Sequence, residues 1–454
     1  MAGIDPALPS VFRVGTAAVT VVTTALRAAA AFWADSNAGG AANGVPAVRV
    51  GVREAVAAFR SERYLTLGGA VGSLWEPLSG DYRTADGWVR LHCNFPHHAT
   101  AACRALGVAP ERDAVTRAIA GWYAQDVEQA VIDAGGAAGA LRTSTEWAAH
   151  PQAIAVASTP VVSLRRVADG PPAPAPRAAV AAVAAVAAAA RTPDRPLAGV
   201  RVLDLTRVIA GPVCGRVLSS LGADVLCVRA PHLPTMPWAD IDTGFGKRLR
   251  WLDLRDAADR EAFFGLVRGA DLVVQSYRPG ALDRLGLGPA DLAAVRPGLG
   301  HVSVSAYGDT GPWAGRRGFD SLVQMVTGIA DAGMRAAGAD RPVPLPAQAL
   351  DHAAGWLAAA ASIDAVRRAR ADGGSWTAQV TLAGVARWLQ SLGRLEPAVG
   401  LAAPDPGPAD VADLKATMWT PAGELSYVRP PGTIGGVAPS WESPTPFPLT
   451  AADG

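Results

Sequence analysis

The residue best suited to chemistry is Asp351, in the run Gln348-Ala349-Leu350-Asp351-His352-Ala353-Ala354-Gly355. An alanine-rich helix begins there, and the pattern predicts Asp351 at its N-cap, where a carboxylate accepts backbone N–H bonds. Those bonds and the positive helix end would keep it ionised. A carboxylate held ionised and sheltered from water can attack an acyl thioester. Taken alone, the plain cap is the stronger reading of this residue. A second feature lies upstream. Val200 to Leu205 is an apolar run of strand length, and Ala210-Gly211-Pro212 follows at once. Proline is tolerated in a first helical turn. A helix starting there offers free N–H groups to an anion such as phosphate. No G-x-G-x-x-G occurs, so a dinucleotide cofactor is not indicated. A third feature is the cluster His92, Cys93, His97 and His98. No second ligand pair with metal spacing follows it, so capping or surface histidines are expected rather than a metal site.

These residues need elements to position them. After the Val200–Leu205 run, a helical stretch carries Val213, Val217, Leu218 and Leu221, and Gly222 ends it. A second apolar run, Val225 to Val228, follows. This is β-turn-α-turn-β, the unit of a parallel crossover. With 454 residues, half of them hydrophobic, the chain has material for two or three domains around a large core. A net charge of +1 gives no reason to expect a nucleic-acid partner. Four cysteines form no close pair, and Cys214 and Cys227 fall inside the apolar α/β pattern, which fits reduced thiols in a cytoplasm. The Ala/Val/Thr-rich stretch from Val14 to Phe32 contains Arg27 and is read as a core helix, not a membrane span. Residues 166–196 are Pro/Ala-rich and read as a linker. On either side of it a pattern repeats. A small-residue helix, a Gly-rich turn, an alternating run and another helix occur at Val14 onward, with the run at Val48–Val52. They occur again at Asp351 onward, with the run at Ala378–Leu382. The first copy has no aspartate matching Asp351.

Five ordered blocks carry a family resemblance: Leu203 to Pro212; Leu221-Gly222-Ala223-Asp224-Val225; Gly246-Lys247-Arg248 with Leu252-Asp253-Leu254; Tyr277-Arg278-Pro279-Gly280 with Leu285-Gly286-Leu287; and Tyr307-Gly308 through Gly311-Pro312 to Gly318-Phe319-Asp320. Over residues 197 to about 392 the chain resembles the family III CoA-transferases, which include formyl-CoA and carnitine CoA-transferases and the α-methylacyl-CoA racemases. The resemblance implies an α/β fold: a Rossmann-like parallel sheet domain, a smaller α/β domain and long connecting helices. It implies domains at 1–165 (helix plus small domain, a partial duplicate), 197–400 (CoA-binding) and 401–454 (a tail packing back on the large domain). The small-domain motifs, from Gly80-Asp81-Tyr82 to His150-Pro151-Gln152, precede the nucleotide-binding half here, whereas in ordinary members they follow it.

The resemblance also implies roles. Asp351, in an Asp-x-x-x-Gly frame with Gly355, matches the family's nucleophile. Arg207, Val208, Ala210, Leu254, Arg255, Arg284 and Arg317 match positions that contact CoA. The implied reaction moves CoA between carboxylic acids through an aspartyl-acyl anhydride and an aspartyl-CoA thioester, with acyl-CoA as substrate and no tightly bound cofactor or metal. Phe319 stands where racemases place a proton-transferring histidine, which favours transfer over racemisation. A racemase-like enzyme and a noncatalytic CoA-binding paralogue remain the alternatives. Arg229 and Gly244-Phe245 depart from the family's usual acidic residue and Asn-Arg. A cytoplasmic homodimer, possibly interlocked, is expected, with no membrane and no nucleic acid.

Overall fold

The computed structural model describes residues 4–36, 44–172 and 192–447. Helix α1 (Val14–Ser36) leads to β1 (Val48–Arg49), α2 (Val52–Ala58), α3 (Ser61–Tyr64) and β2 (Thr66–Leu67). The small domain follows as β3 (Gly80–Arg83), β4 (Trp88–Leu91), α4 (Pro96–Leu106), α5 (Arg112–Ile119), α6 (Ala124–Asp133) and β5 (Ala138–Ala140). Then come α7 (Ser144–Ala149), α8 (Pro151–Ala157) and β6 (Val162–Ala168). The second half runs β7 (Arg201–Leu205), α9 (Ala210–Ser220), β8 (Asp224–Arg229), α10 (Pro237–Thr243), β9 (Lys247–Trp251), α11 (Ala257–Val267) and β10 (Leu272–Gln275). It continues with α12 (Pro289–Val295), β11 (Gly300–Ser305), α13 (Asp320–Val326), α14 (Ile329–Ala337), α15 (Ala349–Ala371), β12 (Ser375–Thr381), α16 (Leu382–Ser391) and α17 (Pro397–Gly400). The strands β13 (Lys415–Thr420), β14 (Gly423–Val428) and β15 (Thr433–Ile434) close the described chain.

The main sheet has the order β6-β12-β11-β10-β7-β8-β9. Its six strands from the second half are mutually parallel, and β6 lies antiparallel at the edge against β12. The chain winds from β7 outward through β8 and β9, then returns through β10 to β11 and β12. The order therefore reverses between β7 and β10, the place where doubly wound sheets open a crevice at their strand ends. The expected α/β class is what the chain forms. The boundary expected at 165/166 falls inside β6, so residues 166–168 are sheet rather than linker. The alanine tract of that linker lies outside the described residues. The tail reaches the first half as well as the second: β14 pairs with β2, and β15 with β1.

The repeat seen in the sequence is a structural pseudo-two-fold. Helices α1 and α15 are both 23 residues long and pack on each other through alanines and valines, among them Ala18, Val21, Ala25, Ala354, Ala358 and Ala361. By length and composition alone α1 could cross a membrane, but most of its apolar stretch is buried in this packing. Their contacts are reciprocal. Arg367 of α15 pairs with Asp35 of α1 at 2.7 Å, and Arg370 lies over the Phe32 ring at 4.8 Å. Aligned end to end, position 32 matches 367 and position 35 matches 370. The helix starts match too. The Asp5 carboxylate accepts the N–H groups of the second and third residues of α1, Gly15 and Thr16. The Asp320 carboxylate does the same for Leu350 and Asp351 in α15. Thr16 is thus the structural twin of Asp351. The segment after α2 runs to the start of α15, where Phe59 stacks on His352. The segment after α16 runs to the start of α1, where Leu395 N–H bonds the Val11 carbonyl.

Candidate active site

Asp351 opens onto a cleft of about 330 Å³ between the C-terminal ends of the parallel strands and the small domain. The first wall comes from the turn after β7, with Arg207, Val208, Ala210 and Gly211. Val208 there has φ 74°, a conformation strained for a β-branched residue and typical of functional turns. The second wall follows β10, with Ser276, Tyr277 and Arg278. Thus both sides of the sheet's switch point face the cleft. The third wall is Val304 to Tyr307, the end of β11 and the two residues that follow, with Arg316 to Phe319 beyond it. The roof is the start of α4 in the small domain, with Phe95, His97 and His98.

Two glycines set these distances. A Cβ on Gly355 would lie 2.6 Å from the Ala210 carbonyl oxygen and 2.6 Å from Val213 Cβ. Gly355 is where α9 crosses α15, and the crossing holds the first turn of α9 one turn away from Asp351. A Cβ on Gly215 would lie 2.3 Å from Asp204 Oδ2 and 2.8 Å from Lys247 Nζ. That buried pair, at 2.7 Å, also places Lys247 on the Pro212 carbonyl and so ties β7 and β9 to α9.

The state of Asp351 differs from the sequence expectation. It is the third residue of α15, not its N-cap, which is Gln348 with no side-chain cap bond. The capping carboxylate is Asp320, which takes the two backbone N–H groups at 2.8 and 3.0 Å. Asp351 is 6% exposed, and burial, then Asp320, then Glu62, raise its pKa well above the usual carboxylate range. Ionisation is therefore resisted rather than favoured. The reason is that cap bonds stabilise a carboxylate, and here they go to its neighbour. Burial also works against ionisation of Glu62, but the adjacent His352 at 3.1 Å holds its pKa below the ordinary value.

The expected CoA-contacting residues divide into two groups. Arg207, Val208, Ala210 and Arg317 line the cleft beside Asp351. The Arg207 guanidinium stands 5.1 Å from the Phe95 ring centre and so links the large domain to the small one. Leu254 packs into the core with Leu252 and Phe263, exposed Arg255 pairs with Asp253 at 2.7 Å, and Arg284 is exposed on a short turn. None of these three lines the cleft. The departures noted at Arg229 and Phe245 are internal. Arg229 pairs with buried Asp240 at 2.9 Å, and Phe245 stacks between Tyr427 and Trp441.

Sequence reasoning left out several cleft residues. Arg278 lines the cleft, and its position directly after β10 at the switch point was a usable signal. Arg316 is held by Glu128 at 2.8 Å and lies over Trp313 at 3.9 Å, so its charge is offset. Among the described residues, Arg207, Arg278 and Arg317 make no ion pair. His92 and His98 are not surface or capping residues. His92 stacks on Phe319 at 3.6 Å, and His98 packs edge-on to the same ring at 5.7 Å. The four cysteines are free and buried.

A doubly wound sheet with a buried aspartate and a basic crevice at its switch point agrees with the family that the sequence matches. The sequence model of CoA-transferase family III matches residues 197–416. The chain is 36% identical to the acetyl-coenzyme A transferase of Hypoxylon pulicicidum over 44% of its own length and 34% of that protein's. It is 35% identical to a probable fatty acyl-CoA transferase of Mycobacterium tuberculosis, over 44% of this chain and 53% of the relative. It is 36% identical to the succinyl-CoA–D-citramalate CoA-transferase of Chloroflexus aurantiacus, over 31% and 38%. A crystal structure of a Mycobacterium tuberculosis protein aligns with a TM-score of 0.40 at 33% identity, covering 44% of this chain and 58% of that one. The chain thus spans roughly a third to a half of the curated relatives it matches.

Proposed function

We propose that the protein is a CoA-transferase that moves CoA from an acyl-CoA to a carboxylic acid, with Asp351 as nucleophile. The observation that carries this reading is the placement of a buried, raised-pKa carboxylate at the switch-point crevice, within a wall of arginines. Arg207, Arg278 and Arg317 supply positive charge that suits the phosphates of CoA, and arginine's planar fork fits them well. The 330 Å³ cleft is too small for a whole CoA molecule, so the nucleotide end would extend over its rim. Arg284 and Arg255 stand exposed on the large domain and are available to that end.

In the first step ionised Asp351 attacks the thioester carbonyl. A new C–O bond forms, the C–S bond breaks, and CoA leaves as thiolate, giving an aspartyl-acyl anhydride. The thiolate then attacks the aspartyl carbonyl of the anhydride and releases the donor acid. The acceptor carboxylate attacks the resulting aspartyl-CoA thioester and forms a second anhydride. The expelled thiolate attacks the acceptor's carbonyl, which yields the new acyl-CoA and regenerates Asp351. Burial and two neighbouring acids make ionised Asp351 a high-energy species. Acylation neutralises it, so the repulsion in the ground state lowers the barrier to attack. We place the enzyme in the cytoplasm, and a homodimer fits the reading.

The test is incubation with a panel of acyl-CoAs followed by peptide mass mapping. An acyl or CoA adduct on the peptide bearing Asp351 supports the reading. Tight CoA binding without any adduct or transfer would instead assign the chain as a noncatalytic CoA-binding protein.

A further inference from the structure

Several polar groups around the cleft are already engaged. Ser276 Oγ accepts the Arg207 N–H, Ser305 Oγ accepts the Gly308 N–H, and Arg316 is held by Glu128. Two groups are different. His98 is 3% exposed and Tyr307 is 2% exposed, and both line the cleft that holds Asp351. Among the described residues, neither ring nitrogen of His98 and neither lone pair nor proton of the Tyr307 hydroxyl has a hydrogen-bonding partner. A buried polar atom left this way costs about 1–3 kcal/mol, and such atoms are normally met by water or ligand.

The two groups flank one backbone segment. The His98 ring packs against Phe319 at 5.7 Å, and a Cβ on Gly318 would lie 2.9 Å from the Tyr307 ring. The next residue, Asp320, holds the start of α15 and thereby Asp351. Phe95, Leu205, Val304, Ala306 and Phe319 supply the apolar part of the lining, and Arg207 and Arg317 stand in the same cleft. Neither group carries charge at neutral pH. Burial, then His97, Arg317 and Arg207, push His98 down to about 3, and burial pushes Tyr307 up to about 12. A neutral imidazole offers one donor and one acceptor, and the phenol offers both.

Building on the transferase reading, we infer that His98 and Tyr307 form a subsite for an uncharged polar substituent on the acyl group, so that the preferred acids are short hydroxy or oxo acids. A plain alkyl acid would leave both groups unmet. Sites built to hydrogen-bond a hydroxyl reject the analogue lacking it far more strongly than apolar pockets reject an extra methylene.

The test compares butyrate, 3-hydroxybutyrate, 3-oxobutyrate and succinate as CoA acceptors, with the affinities of their CoA thioesters measured in parallel. Wild-type, His98→Phe and Tyr307→Phe proteins are used, because each replacement keeps the ring and removes only the polar atoms. The wild type should favour the hydroxy or oxo acid over butyrate by at least about tenfold in kcat/KM and thioester affinity, and each variant should bring that ratio below about threefold. An indifferent wild type, variants that keep the preference, equal losses on polar and alkyl acids, or a preference for succinate would each overturn the subsite. Absence of transfer to every acid would sink the transferase reading, and the thioester affinities would still decide the subsite.

Discussion

Replacing Asp351 by Asn should abolish turnover and stabilise the fold, and the second effect depends on pH in a defined direction. In the unfolded chain Asp351 titrates near the ordinary value of about 3.9. In the fold burial comes first, then Asp320 and Glu62, and together they raise it well above that range. Below about pH 4 the carboxyl is protonated in both states, and Asp and Asn proteins should be close in stability. As pH rises past 4 the unfolded chain releases its proton while the folded chain resists, so the wild type loses stability up to the folded pKa. Asn cannot ionise and escapes that loss. Relief of a buried, unpaired charge is on the order of 1–3 kcal/mol at neutral pH. Because Asp320 rather than Asp351 accepts the backbone N–H groups, the substitution removes no cap. Transfer should fall by at least about 1,000-fold, since an amide is not a nucleophile. Urea midpoints at pH 4 and pH 7.5, with unchanged slope, read the stability, and an acyl-transfer assay reads the turnover. Near-normal turnover would remove Asp351 from its role. Equal midpoints at pH 7.5, or the same gain at both pH values, would show that its charge is not resisted by the fold.

Glu62→Gln removes a negative charge that raises the Asp351 pKa, so the acid limb of the kcat/KM profile should move to lower pH; an unmoved limb would exclude electrostatic coupling between the two. Arg317→Ala, inside the cleft, should weaken binding of CoA and dephospho-CoA alike by about 10–100-fold, the range for one charge-assisted contact. Arg284→Ala, on the rim, should weaken CoA more than dephospho-CoA, and identical losses for both ligands would move the 3′-phosphate elsewhere. Residues 197–454 alone should aggregate, because they expose the face of α15 that α1 covers and lose the β6 edge. Adding residues 1–170 should restore solubility and some transfer, whereas a soluble, fully active 197–454 fragment would make the first half an appendage.

The parallel half of this fold was legible because its signals are local. Val200–Leu205, Gly222 and Val225–Val228 announce a β-α-β unit within about 30 residues, and the turn between them became the first wall of the cleft. Gly355 was readable only as part of a motif, and its physical reason, the approach of Ala210 and Val213, needs the helix crossing. The ionisation of Asp351 was misjudged because a cap position cannot be fixed to better than a residue or two from sequence. Asp351 lies three places beyond the N-cap, and the cap bonds go to Asp320. Glu62 and His98 were beyond reach. Glu62 meets His352 and His98 meets Phe319 across the two halves of the chain, and no periodicity marks a contact of that kind.

The two halves also explain why only one reactive carboxylate is expected. At the start of α15 the third residue is Asp351, beside a cleft. At the start of α1 the third residue is Thr16, whose hydroxyl donates to Asp5 at 2.7 Å, while Leu8, Val11 and Phe12 are buried around it. The aspartate that caps each helix is kept in both copies, because an unmet helix start is costly wherever it is buried. The second aspartate is kept in one copy only, where its charge is useful enough to offset the strain of holding it. What the first copy contributes instead is its own chain end: Phe59 and Glu62 close the buried side of Asp351 through His352. A Thr16→Asp substitution therefore should not create a second site. It should destabilise the fold by placing two carboxylates against one pair of N–H groups, with the loss growing as pH rises above about 4. A Thr16→Asp protein as stable as the wild type at pH 7.5 would show that the two helix starts are not electrostatic equivalents.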